Sequence, residues 1–165
     1  MWMGVAGSNR RGEPNPPRSS GRGDSVGQRS RTGRLVFTFD SDYATGRAVQ
    51  KEILDVIRDN GFKGNTFFAI NLALEEALTN AIRHGNHLDP TKKVHVEAKI
   101  TPKRVEIIVE DQGPGFDRRG IPDPTATENL EKCSGRGILL IESYMSRVTW
   151  DRGGRRVRMI KENDA

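Results

Sequence analysis

Apolar residues recur with two different periods along this chain, and the change of period marks out its elements. Leu35, Phe37 and Phe39 alternate with Val36 and Thr38, a two-residue repeat that predicts an opening strand. Asp40-Ser41-Asp42 then offers N-cap chemistry for a helix running to about Asn60, where Gly61 stops it. Its inward stripe is expected to be Ala44, Ala48, Ile53, Val56 and Ile57, leaving Arg47, Lys51 and Asp55 on the surface. Over residues 65–86 the period lengthens: Phe67, Ile70, Leu74, Ala77, Leu78 and Ala81 fall three and four apart, as in one long amphipathic helix. Residues 94–100 and 104–110, joined at Pro102-Lys103, read as a strand pair, and so do 147–150 and 155–160, joined at Gly153-Gly154. Ile138-Leu139-Leu140-Ile141 begins a third helix. Three helices and about five strands, linked by hairpins rather than repeated strand-helix-strand units, predict an α+β fold. The expected architecture is a two-layer sandwich, a mixed and mostly antiparallel sheet with the helices on one face.

Composition divides the chain in two. Residues 1–33 are rich in Gly, Ser, Pro and Arg without apolar periodicity, and such a segment buries too little surface to offset its ordering entropy, so a disordered tail is expected before a domain at 34–161. Six arginines in that tail, against Glu13 and Asp24, carry +4 of the chain's +5. The basic charge thus sits where no aromatic residues interleave with it as a stacking platform, which argues against direct nucleic-acid binding. No apolar run is long enough for a membrane span or a secretory signal, and Cys133 is the only cysteine; both point to a cytoplasmic protein without an internal disulfide. Pro122, Pro124 and short polar residues make 116–134 too irregular for a strand and suit it as a mobile lid.

The candidate chemistry lies in three separated segments. On the second helix Glu76, Asn80 and His84 share one row beside the apolar stripe, while Glu75 projects elsewhere. A carboxylate there can take a proton from an attacking hydroxyl, and an amide oxygen suits a magnesium ion. Asp111 stands where a strand runs out into Gly113 and Gly115, and an acid in that position can accept a hydrogen bond from an exocyclic amine. Gly135 and Gly137 precede the third apolar run, whose free N–H groups and positive dipole end suit an anion, with Arg136 adding charge. Taken singly, these segments are an amphipathic surface helix, a plain Asp-Gly turn and a helix start; together they make a nucleotide site. Neither a P-loop nor a dinucleotide-binding fingerprint is present. His84 is expected to be structural, and with His87 and His95 it forms no metal-binding pattern.

The stretches Glu76-Ala-Leu-Thr-Asn80-Ala-Ile-Arg-His84-Gly85, Asp111-Gln-Gly113-Pro-Gly115-Phe116 and Gly135-Arg136-Gly137-Ile138 resemble the N, G1 and G2 boxes of the GHKL, or Bergerat-fold, ATPases, and among these the anti-sigma-factor serine kinases. That resemblance implies ATP and Mg2+ as cofactors. It implies Glu76 as general base, Asn80 as magnesium ligand, Asp111, Gly113 and Gly115 at the adenine, and Gly135, Arg136 and Gly137 at the phosphates. It also implies a sigma factor and a STAS-type anti-anti-sigma substrate as partners, Arg47 as a partner contact, and a homodimer. A sensor histidine kinase would need a helical domain carrying its phosphorylated histidine, and no long helix pair precedes residue 34. The competing expectation is an ATP-gated module that sequesters a partner without significant phosphoryl transfer.

Overall fold

The strand β1, Gly33–Asp40, opens the fold in a computed structural model that describes residues 33–116 and 133–164. The expected tail, except Gly33, and most of the expected lid lie outside the described residues. Helix α1, Tyr43–Asp59, follows at once because Asp42 accepts the Thr45 N–H and hydroxyl, each at 2.8 Å, which satisfies a donor the first turn leaves free. It ends at Asn60 and Gly61, the latter with φ of 89°. Helix α2, Gly64–Thr79, continues without a break into a π-helical turn, Asn80–Gly85. Strands β2, Lys93–Ile100, and β3, Arg104–Asp111, form the first hairpin. Helix α3, Cys133–Tyr144, leads into β4, Arg147–Asp151, and β5, Arg156–Glu162.

Among the described residues five strands make one sheet in the order β1-β2-β3-β5-β4, and every pairing is antiparallel, where the sequence predicted a mixed and mostly antiparallel sheet of about five strands. Register sorts the side chains. Phe39 faces Val94, Phe37 faces Val96, Ile107 faces Met159 and Val109 faces Val157, and these residues pack against the helices. The next residues along, His95, Glu97, Glu106, Glu110 and Arg158, fall on the other face. One hydrophobic layer therefore separates helices from sheet, with Ile53, Ile57, Ile70, Leu74, Val96, Ile107 and Met159 fully buried. Each such side chain contributes roughly 1.5–3 kcal/mol by leaving water.

Two expectations about the helices need correction. On α1, Ala44 and Ala48 are exposed, and the buried stripe is Gly46, Val49, Ile53 and Ile57. Gly46 lies under Ile82, so the stripe is set by a close approach of two helices as well as by large side chains. The second helix is not uniform over 65–86: its α-helical part ends at Thr79, and the Asn86 N–H reaches back five residues to the Ala81 carbonyl at 2.8 Å.

Candidate functional site

The π turn is where α2 meets the site. Glu76 sits in the last α-helical turn, half-buried, and burial, reinforced by the charge of Glu75, pushes its carboxyl above the usual range. Four residues on, Asn80 opens the widened turn, which presents Asn80, Ala81, His84 and Gly85 to one cavity. His84 is thus part of the cavity wall; burial first, then Arg83 and His87, hold its pKa down, which favours the neutral ring.

That cavity, of about 210 Å³, is closed on the sheet side by Val109, Val157 and Trp150, and at its rim by Phe116 and Arg155. Phe116 meets Trp150 edge to face, ring centres 5.2 Å apart. Asp111 enters at the end of β3. Its N–H donates to the Arg155 carbonyl at 3.0 Å, and its Oδ1 accepts the Gly113 N–H at 2.7 Å. Burial raises the Asp111 pKa against the lowering effects of that Gly113 bond, Arg155 and Lys92. The carboxylate lies where a side chain on residue 85 would have to go, so glycine there is a condition of the acid's placement. Gly115 also lines the cavity, while Gly113 packs against the Gly85 carbonyl.

Helix α3 approaches from the other side. The sequence places Gly135 and Gly137 ahead of this helix; the helix in fact begins at Cys133, so both lie within its first turns. Gly137 is buried against α2, and a Cβ on it would stand 2.6 Å from Glu76 Oε2 and 3.4 Å from the Asn80 amide. Its missing side chain brings α3 up to the Glu76–Asn80 pair. Arg136 is exposed and is not among the cavity-lining residues. Glu76 likewise stands beside the cavity rather than in its wall, next to Asn80, which does line it.

Sequence reasoning missed Asn86, Trp150 and Arg155, and it quoted Gly85 without a role. Asn86 is completely buried although it stands in a polar loop of sequence. Its Nδ2 donates to Ser41 Oγ at 2.7 Å and to the Lys93 carbonyl at 2.9 Å, and its Oδ1 accepts the Gln112 N–H at 2.8 Å. Gln112 returns the link by accepting the Lys93 N–H at 2.7 Å. The end of the π turn, the exit of β1, the entry of β2 and the turn after β3 are thereby joined. An asparagine directly after the Gly85 break was the one trace of this in the sequence, and burial could not be read from it.

An apolar slot with one acid at its end suits a flat heteroaromatic base bearing an exocyclic amine. Beside it, Asn80 Nδ2 is buried without a hydrogen-bond partner among the described residues, so its amide is free to serve a ligand. Among the described residues no three His, Cys, Asp or Glu side chains converge as a metal cage. The orphaned Asn80 nitrogen is a donor and suits an acceptor such as a phosphate oxygen, while the oxygen of the same amide is the atom that would hold a magnesium ion.

Residues 39–161 match the family model described as the histidine kinase-like ATPase domain. The anti-sigma F factor of Oceanobacillus iheyensis is 37% identical over 82 residues, 48% of this chain and 56% of that protein. The serine-protein kinase RsbW of Bacillus licheniformis is 32% identical over 94 residues, 53% and 59% of the two chains. The present chain thus spans a little over half the length of the curated relatives it matches. Among solved structures, the RsbU and RsbW domains of Rv1364c from Mycobacterium tuberculosis superpose with a TM-score of 0.50 at 17% identity, over 79% of this chain and 31% of that one, a likeness of fold.

Proposed function

Because the chain belongs to the histidine kinase-like ATPase family, we propose that it is an ATP- and magnesium-dependent protein serine kinase and anti-sigma factor. Its partners on this reading are a sigma factor and an anti-anti-sigma protein of STAS type that carries the phosphorylated serine, and it acts in the cytoplasm, as a homodimer. The names of its relatives support the class, one an anti-sigma factor and another a serine-protein kinase. The observation that carries the reading furthest is the convergence of three groups from three elements. Asp111 from β3 and Asn80 from the π turn face one cavity, and Glu76 of α2 stands beside Asn80 against the glycine face of α3.

The parts divide the work. Asp111 accepts the exocyclic amine of adenine between the apolar walls. Asn80 offers its amide oxygen to the metal, which when bound neutralises phosphate charge. Glu76 accepts the proton of the substrate serine, and a carboxyl made more basic by burial is the better acceptor so long as it stays ionised. Positioning and charge neutralisation then account for most of the catalysis, as is general for phosphoryl transfer. N–H groups in the first turn of α3, around Gly135, favour the anionic end of the nucleotide.

Incubation with labelled ATP, magnesium and candidate anti-anti-sigma proteins, followed by mapping of the modified residue, tests this. Phosphate is expected on a serine of the acceptor, with the rate lowered about 10²-fold or more in Glu76→Gln while ATP affinity stays within about twofold. Tight ATP binding without transfer to any acceptor would replace the kinase with a nucleotide-gated sequestering module. An unchanged rate in Glu76→Gln would remove the base assignment.

A further inference from the structure

The Asp111 carboxylate is held by the course of its backbone: the chain must leave β3 at a set angle for Oδ1 to reach the Gly113 N–H at 2.7 Å. What sets that angle is the next N–H, that of Gln112, which donates to Asn86 Oδ1. Asn86 has none of its surface exposed, and its amide is committed on both sides, with Nδ2 on Ser41 Oγ and the Lys93 carbonyl. A buried amide whose donor and acceptor ends are both engaged has a single orientation, so the position of Oδ1 is fixed by β1 and β2 together. Gly85, its neighbour, leaves free the space on the π turn that this carboxylate occupies.

Resting on the reading of this cavity as an adenine site, we propose that Asn86 is a positioning residue for base selection: by holding the Gln112 N–H it aims Asp111 at the exocyclic amine, and so sets the preference for a 6-amino over a 6-oxo purine nucleotide. Asp111 touches the base; Asn86 acts through it. An aspartate at 86 would keep an acceptor for Gln112 but would turn an oxygen toward the Lys93 carbonyl, so the two-sided amide is required.

The test is equilibrium binding of ATP and of inosine triphosphate, whose ring carries a carbonyl in place of the amine, to the full chain with magnesium. The unsubstituted protein is expected to favour ATP by about tenfold or more, the scale of one well-aimed hydrogen bond to a charged group. Asn86→Ala and Asn86→Asp are expected to bring that ratio to about threefold or less by weakening ATP more than inosine triphosphate. Ser41→Ala, which removes only one of the three partners and serves should the Asn86 variants not fold, gives an intermediate ratio. In an Asp111→Asn background, Asn86→Ala changes the ratio no further, as expected if the two act in series. If Asn86→Ala or Ser41→Ala weakens both nucleotides equally and leaves the ratio intact, Asn86 is only structural and the inference is overturned. If the unsubstituted protein binds both nucleotides equally, the adenine reading of the cavity falls, and the inference with it.

Discussion

Two glycines show how far the site depends on what is left out. Gly137→Ala places a methyl 2.6 Å from Glu76 Oε2, and a carboxylate at the end of a flexible side chain yields by swinging away. Phosphoryl transfer is expected to fall about 10- to 100-fold, since a displacement of about 1 Å can cost that much, while ATP affinity and melting temperature hardly move. Gly85→Ala acts on the other acid: the new methyl overlaps the Asp111 carboxylate, and ATP affinity is expected to drop tenfold or more by titration calorimetry. Equal losses of binding in both variants would contradict this division of labour. The same contrast explains what the sequence discloses. Glu76, Asn80 and Asp111 stand on a helix row and at a strand end, so periodicity offers them as candidates, and their roles are what the resemblance of the three segments implies. Asn86, Trp150 and Arg155 reach the site only because the sheet and the π turn bring distant segments together, and no local pattern records that.

At the level of elements, strand alternation was legible because each strand has one dry face, which ties register to sequence. The α1 stripe was misread for a physical reason. Alanine carries little apolar area, so Ala44 and Ala48 weigh almost nothing in choosing a face, whereas Val49, Ile53 and Ile57 with Gly46 determine it. Ile53→Ala is therefore expected to destabilise the domain by about 2–5 kcal/mol. Ala48→Lys, on the exposed side of the same helix, stays within about 0.5 kcal/mol of the parent. Urea unfolding of both variants checks this, and a large loss from Ala48→Lys would restore the sequence-based stripe. The change from α to π geometry at Asn80 is harder to foresee. Propensity does not distinguish the two, and the turn is completed by the Asn86 N–H, whose own residue is anchored in the sheet.

For the molecule as a whole, stability and function pull in opposite directions at the cavity. The outer face of the sheet is laced with pairs such as Arg34–Glu97 at 3.0 Å and Arg158–Glu106 at 2.8 Å, but exposed pairs contribute only about 0–1 kcal/mol, so the core sets the stability. Against that core, the fold keeps Glu76 and Asp111 in surroundings that disfavour their charge, and both pKa values are raised. For an acid shifted in this direction the folded state binds the proton more tightly than the unfolded chain. Its stabilising contribution is complete below the ordinary carboxylate value, 4.5 for Glu76, and is lost as pH rises through the higher folded value. At neutral pH an ionised Glu76 is thus a cost carried for the reaction. Asp42 and Glu97 shift the opposite way and weaken the fold as pH falls, so the pH profile of the parent alone mixes both effects. The difference between Glu76→Gln and the parent isolates the one group. Thermal unfolding without nucleotide is expected to show Glu76→Gln melting higher than the parent at pH 7.5, with the gap closing as pH falls toward 4. A gap that is absent at pH 7.5, or that widens on acidification, would mean that the site stabilises the charged carboxylate, and the raised basicity on which Glu76 depends as a proton acceptor would be lost with it.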